Sequence, residues 1–107
     1  MQNARNNFIL VTGWEQEYDI DQLEQLRSHF DTLKTVLYAE MWFKAVASDN
    51  DAFMMLMRDK ETKAAQLEYS RHEGEYSIAW PLSPEEVIIA TEYFFEYGER
   101  APMIEWC

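Results

Sequence analysis

Strict alternation of apolar and polar residues recurs in the middle of this chain, and it constrains the fold more than any other feature. In residues 65–70 the apolar members are Ala65, Leu67 and Tyr69. A glycine-containing loop follows at residues 71–74, and Tyr76, Ile78 and Trp80 then alternate with smaller or polar residues. Successive side chains of an extended chain point to opposite faces. The pattern therefore predicts two strands joined as an antiparallel hairpin.

Four further segments have the character of strands. Phe8–Trp14 is an apolar run with β-branched residues. Residues 35–45 are also compatible with a continued helix, but their odd positions from Leu37 to Ala45 alternate as one apolar face, which favours a strand. Residues 53–57 are apolar at every position, which predicts a central strand covered on both sides, with methionines filling gaps. Residues 103–106 are predicted to form a short last strand, while residues 48–51 and 60–63 have turn compositions.

Two segments have helical periodicity. The first is predicted to begin at Asp19 as the N-cap, with Gln22 three residues later, and its apolar stripe is Ile20, Leu23, Leu26, Phe30 and Leu33. The second begins at Ser83, because a serine cap, Pro84 at the first helical position and a glutamate at the third form a capping box. Its predicted buried stripe is Val87, Ile88, Thr91, Phe94 and Phe95, and Gly98 is the residue expected to end it.

These elements fit one domain spanning residues 1–107. A chain of 107 residues, 48% of them hydrophobic, has enough material for one core and too little for two. The expected fold class is α+β, a mostly antiparallel sheet meander with two main helices packed on it.

Composition excludes several classes of function. The net charge of −11 disfavours nucleic acid and anionic membranes as partners and favours a basic macromolecule, although acidity that serves only solubility remains an alternative. His29, His72 and Cys107 are the only histidines and the only cysteine, so no metal ligand set and no internal disulfide are expected. No glycine-rich phosphate loop and no nucleophile with an orienting base is present. We therefore expect no enzyme activity and no cofactor. The polar first residues indicate a cytoplasmic chain.

Three groups of residues are candidates for binding a partner. Six carboxylates lie between Glu15 and Asp31 against the single cation of Arg27, and helix electrostatics leaves Glu15 and Glu17 unexplained. The even positions of residues 36–44 mix aromatic and charged side chains, which is typical of an interface, although packing by a helix is an equally good explanation. The third group surrounds the hairpin. The complete set of candidates is Glu15, Glu17, Asp19, Tyr38, Glu40, Trp42, Glu68, Glu73 and Glu75.

The last quarter of the chain has an ending with a recognisable order of residues. Proline and an acidic residue open a helix that contains an alanine and, near its end, a phenylalanine; glycine, arginine, proline and a final tryptophan then follow. The cap residue Ser83 precedes this motif, and the matching positions are Pro84, Glu85, Ala90, Phe94 or Phe95, Gly98, Arg100, Pro102 and Trp106. A structural role alone can account for these residues. Arg100 is expected to bond the last helical carbonyls or a nearby carboxylate, and Trp106 is expected to pack back onto the domain.

This ending resembles the Imm-one family, the first-defined immunity proteins of bacterial polymorphic toxin systems. The chain departs from the family pattern at Ala101, which separates arginine from the proline that usually follows it directly. The resemblance implies a protein that neutralises a cognate toxin domain, commonly a nuclease or deaminase, by stoichiometric blocking. It does not identify the toxin, the interface or the oligomeric state. An acidic structural or adaptor domain is the alternative, and a small enzyme is a more distant one.

Overall fold

A computed structural model of the chain describes residues 8–13, 16–43, 52–71 and 74–107. The described residues form one six-stranded antiparallel sheet and three helices, which confirms the predicted α+β class. In chain order the elements are β1 (Phe8–Thr12), β2 (Gln16–Ile20), α1 (Leu23–Arg27), α2 (Phe30–Leu33), β3 (Tyr38–Phe43), β4 (Phe53–Arg58), β5 (Ala65–Ser70), β6 (Tyr76–Leu82) and α3 (Pro84–Tyr97).

The sheet has the spatial order β2-β1-β3-β4-β5-β6. β1 and β2 form a hairpin that turns at Gly13, whose φ of +66° lies in the left-handed region that glycine adopts without strain. α1 and α2 then return the chain so that β3 pairs with the other side of β1. β3 to β6 continue as a meander, as the alternation predicts.

All three helices pack on one face of the sheet, and the core lies between them. Leu26 of α1, Leu33 of α2 and Phe94 of α3 belong to the same buried cluster as Phe8 of β1 and Leu56 of β4. Phe94 occupies its centre, with its ring 5.4 Å from that of Phe43, 5.9 Å from Phe8 and 6.2 Å from Tyr69. The burial of these large side chains provides most of the free energy that holds the helices on the sheet.

The predicted first helix is wrong at its start. Asp19 is not an N-cap but a residue of β2. The helical spacing of the leucines that follow extends the predicted helix backward over this strand. The helix begins three residues later, with Gln22 as the N-cap and Gln25 completing a capping box, and it breaks between α1 and α2. β2 forms because residues 16–20 pair along their whole length with β1.

Two strand predictions also need correction. The residues predicted to face the core from β6 do not do so: Ser77 and Ala79 are buried, while Tyr76 and Trp80 are exposed. The register explains this, because Ser77 and Ala79 pair with the core-facing residues of β5. Residues 103–106 are a turn, a bend and irregular chain instead of a last strand, although Cys107 exchanges two backbone hydrogen bonds with Ile78 of β6.

Predictions for β3 and β4 hold in part. β3 is a strand with Ala39, Met41 and Phe43 buried, but Leu37 is exposed. β4 lies inside the sheet as predicted, yet in the part of the chain that the structure describes only its helix-facing side is covered by helices. The turn at residues 60–63 is confirmed, whereas Trp14, Ala45 and the predicted turn at residues 48–51 lie outside the described residues.

The start and end of α3 agree with the sequence prediction. Glu86 donates its backbone N–H to the Ser83 hydroxyl over 3.1 Å, and the Ser83 N–H donates to the Glu86 carboxylate over 2.8 Å. Gly98 takes the left-handed conformation with φ +68°, and its N–H bonds the Phe94 carbonyl. Most of the predicted stripe is buried, with Ile88 only half-buried and Ala90 buried in addition.

Removing the cap of α3 should lower stability measurably. We expect Ser83→Ala to reduce the free energy of unfolding by about 1 kcal/mol, because the Glu86 N–H loses its acceptor. Ser83→Asp restores a side-chain acceptor and should retain nearly all of the stability. Urea unfolding of the three proteins checks this. Equal midpoints for the wild type and Ser83→Ala would show that the cap contributes nothing.

No helix in the described ranges is long and apolar enough to cross a membrane.

Candidate functional site

The face of the sheet opposite the helices, here called the outer face, is the candidate binding surface. Its residues are fixed by register: Phe8 and Leu10 lie in the core, so Ile9 and Val11 lie on the outer face together with their cross-strand partners. Among the described residues no helix packs against this face. Such a face is normally polar, whereas this one contains aromatic and methionine side chains.

Direct cross-strand pairing arranges the outer face in rows that run across the strands. The first row contains Asp19, Ile9, Trp42, Phe53, Ser70 and Tyr76 in spatial order. The second row contains Glu17, Val11, Glu40, Met55, Glu68 and Ile78. The third contains Tyr38, Met57 and Gln66. None of the residues in these three rows is basic.

The second row places carboxylates at regular intervals. Glu17, Glu40 and Glu68 lie on β2, β3 and β5, and one strand separates each from the next. Two strand spacings amount to about 10 Å, so the charges are close enough to act on one partner and far enough apart to repel each other weakly. Val11 and Met55 fill the intervening positions.

Neighbouring side chains orient two of these carboxylates. Tyr38 donates its hydroxyl to Glu40. Gln66 donates its amide N–H to one Glu68 oxygen over 2.9 Å, and Tyr76 donates its hydroxyl to the other over 3.1 Å. The hydrogen bonds limit the rotamers of Glu40 and Glu68 before a partner binds. Less side-chain conformational entropy is therefore lost on binding.

An aromatic pair lies in the row beside them. The rings of Trp42 and Phe53 are stacked at 6.0 Å between centroids and 27° between planes. Both side chains are half-buried, while Tyr76 at the end of this row is 57% exposed. Large, ordered aromatic rings bordered by charges are the side chains that contribute most to protein–protein affinity.

The structure brings together most of the residues that the sequence singled out. Six of them lie on the outer face, although they come from three different strands: Glu17, Asp19, Tyr38, Glu40, Trp42 and Glu68. Glu75 does not join them, because its carboxylate pairs with Arg100 over 3.0 Å. Glu15 and Glu73 lie outside the described residues.

Sequence reasoning missed Phe53, Met55, Met57, Gln66 and Tyr76 as members of this surface. A usable signal was present, since β4 is apolar at five successive positions, and neighbouring residues of a strand cannot both face a single core. Because β4 was predicted to be covered on both sides, its residues were expected to be buried and not to form a binding surface. The alternation predicted that Tyr76 faces the core. The register of β5 and β6 places it on the outer face instead.

The motif at the end of the chain has an architectural role. Arg100 pairs with Glu75, donates to the Ser77 hydroxyl and lies over the Tyr69 ring, 5.6 Å from its centroid. The Trp106 indole N–H donates to the Ala101 carbonyl over 2.9 Å, so the tryptophan packs back as expected. Pro102 is exposed beside the turn that follows α3.

Groups with other chemistry give no competing site in the described part of the chain. His29 is half-buried with its ring 4.2 Å from that of Tyr18, and burial lowers its pKa. His72 lies outside the described residues, and Cys107 is exposed. The described residues contain no group of three or more His, Cys, Asp or Glu side chains arranged to hold a metal ion.

The hydrogen bond between Tyr38 and Glu40 makes a testable electrostatic prediction. It is the main cause that raises the pKa of Tyr38 to about 12, since ionisation would lose the bond and place two negative charges together. In Glu40→Gln we expect the pKa of Tyr38 to fall toward its ordinary value of 10.0. NMR titration of the tyrosine ring carbons measures it. Tyr76, whose pKa is raised by burial and by its bond to Glu68, is the internal control and should not change.

These observations define a class: an α+β protein in which the sheet face opposite the helices combines ordered carboxylates with aromatic side chains. Comparisons of the chain with known protein families, with curated proteins and with solved structures find no match.

Proposed function

We propose that this chain is an immunity protein, which binds a basic toxin domain in the cytoplasm of the producing cell and neutralises it by one-to-one blocking. The observation that supports this most is the outer face, where the row of Glu17, Glu40 and Glu68 lies beside the Trp42–Phe53 pair. The resemblance of residues 83–106 to the Imm-one family supports the biological role.

Electrostatics favours a partner that acts on nucleic acid. A nuclease or deaminase carries a basic surface that attracts phosphates. A chain with a net charge of −11 and an acidic face would be drawn to that same surface. Occupying it excludes the substrate, so inhibition needs no chemistry in the immunity protein.

Charge and aromatic contact have separate kinetic roles in this mechanism. Long-range attraction between the acidic face and the toxin accelerates encounter, and this effect weakens with salt. Desolvated aromatic anchors slow dissociation. We expect a dissociation constant on the order of nanomolar or tighter, which corresponds to about 12 kcal/mol of binding free energy.

Titration of toxin activity tests the proposal. The chain is added to the toxic domain encoded beside it, and residual activity is measured at a toxin concentration far above the dissociation constant. Activity should fall linearly and reach zero at one equivalent, with no dependence on incubation time. Binding without loss of activity would instead indicate an adaptor. Complete protection below one equivalent that grows with time would indicate an enzyme, and either result contradicts stoichiometric blocking.

A further inference from the structure

A cleft lies where the edge of β6 meets the first turn of α3 and residues 105–107. Its volume is about 260 Å³. Two tryptophans, Trp80 and Trp106, are among its lining residues, and two are acidic. The full lining is Trp80, Pro81, Leu82, Glu86, Glu105, Trp106 and Cys107. No lysine or arginine lines it. We call it the edge cleft.

Several walls of the edge cleft are held in place by contacts outside it. The Trp106 indole donates to the Ala101 carbonyl, and its ring contacts the edge of the Tyr69 ring at 6.3 Å between centroids. The Cys107 N–H donates to the Ile78 carbonyl over 2.8 Å. One oxygen of Glu86 accepts the Ser83 N–H. The part of the cleft formed by Trp106, Cys107 and Glu86 is therefore ordered before a ligand binds, which lowers the entropy lost on binding.

The chemistry of the lining selects one kind of ligand. Indole rings attract cations through their negative faces, and tryptophan is the strongest of the aromatic side chains in this respect. Two carboxylates add a second attraction and repel anions. A neutral apolar group would displace water from those carboxylates without replacing its hydrogen bonds. The lining therefore suits a positive head on an apolar stem, and the volume accommodates a single side chain.

We propose that the edge cleft binds one lysine or arginine side chain of the partner protein. The identity of the partner rests on the proposed function, and the cleft extends that function by naming a contact that anchors the toxin at one end of the outer face. Trp80 joins the two surfaces, because it lines the cleft and is 54% exposed at the end of β6. A basic side chain placed here lies beyond Tyr76 and Ile78 along the same strand.

A model side chain tests the cleft without any toxin. The probe is N-acetyl-lysine N-methylamide, and N-acetyl-norleucine N-methylamide is its uncharged match. Binding is followed by NMR from the indole N–H signals of the ¹⁵N-labelled chain. We expect saturable shifts of Trp80 and Trp106 with the lysine probe, little shift with the norleucine probe, and no shift of Trp42, which lies on β3.

Variants locate the interaction. Trp80→Leu and Glu105→Gln should each weaken lysine binding at least about threefold, a factor that one exposed cation–π or charge contact supplies. Glu96→Gln removes an exposed carboxylate of α3 outside the cleft and should leave binding unchanged. Both altered cleft residues are exposed, so folding is preserved.

Three results would overturn the inference: equal shifts with the norleucine probe, equal shifts of Trp42, or unchanged affinity in both cleft variants. The outcome is separate from that of the neutralisation assay. If the lysine probe does not bind the cleft while the chain still blocks its toxin, only the proposed cleft interaction is wrong. A cleft that binds lysine in a chain that blocks no toxin retains its chemistry and refutes the toxin as its partner.

Discussion

Reversing two charges at the centre of the outer face should weaken toxin binding by about 100-fold or more, because each lysine would repel the basic surface that the glutamate attracts. The change is Glu40→Lys with Glu68→Lys, which replaces two of the carboxylates that neighbouring side chains orient. Association should slow and lose much of its dependence on salt. Stopped-flow association measured at several ionic strengths gives both quantities.

A matched double variant separates local charge from net charge. Glu61→Lys with Glu96→Lys alters the total charge equally, but these residues lie in the β4–β5 turn and on α3. Its affinity should fall by less than tenfold, since distant exposed charges are screened. Equal weakening by the two double variants would mean that net charge drives binding and that the outer face has no special role.

Truncating Phe94 should produce the largest loss of stability in the chain. Phe94→Ala is expected to lower the free energy of unfolding by about 3–5 kcal/mol, through lost burial and the cavity left among the surrounding rings. Its side chain is fully buried and contacts the rings of Phe8, Phe43 and Tyr69. A domain of this size has about 5–15 kcal/mol in total, so the variant should be marginal at physiological temperature.

Chemical denaturation followed by circular dichroism measures this loss. Ile89→Ala on the exposed side of α3 is the control, because its side chain is 43% exposed and it lies outside the core cluster. That control should cost less than about 1 kcal/mol. A similar cost for both variants would show that α3 is not anchored through Phe94.

Local chemistry was sufficient to predict the parts of the fold that depend on neighbouring residues. The limits of α3 follow from hydrogen bonds between Ser83 and Glu86 and from the left-handed conformation at Gly98, all within short stretches of sequence. β5 was predicted from its alternation, because Ala65, Leu67 and Tyr69 face a single core.

The errors arose where long-range pairing decides the outcome. β2 has polar residues at its exposed positions, as edge strands commonly do, and the helical spacing after it extended the predicted helix backward over Asp19. The inward face of β6 follows from its register with β5, which pairs Ser77 and Ala79 with core-facing residues of that strand. The larger side chains of the strand, Tyr76, Ile78 and Trp80, had been predicted to face the core.

Only some members of the candidate site were predictable from the sequence, and their arrangement was not. The alternation predicted that Tyr38, Glu40 and Trp42 lie on one face of a strand. Their position on the same sheet face as Glu17 and Glu68 depends on the strand order. The hydrogen bond from Tyr76 to Glu68 connects adjacent strands and could not be inferred from either strand alone.

The most direct test of the outer face as the toxin-binding surface is a methyl NMR footprint of the complex. Met55, Met57 and Ile78 place methyl groups on the outer face, while Met103 and Ile89 line a separate shallow hollow beside α3. The chain is labelled at methionine and isoleucine methyls and saturated with unlabelled toxin domain. We predict large shifts or broadening at Met55, Met57 and Ile78, with Met103 and Ile89 unchanged. Perturbation confined to Met103 and Ile89 would contradict the account.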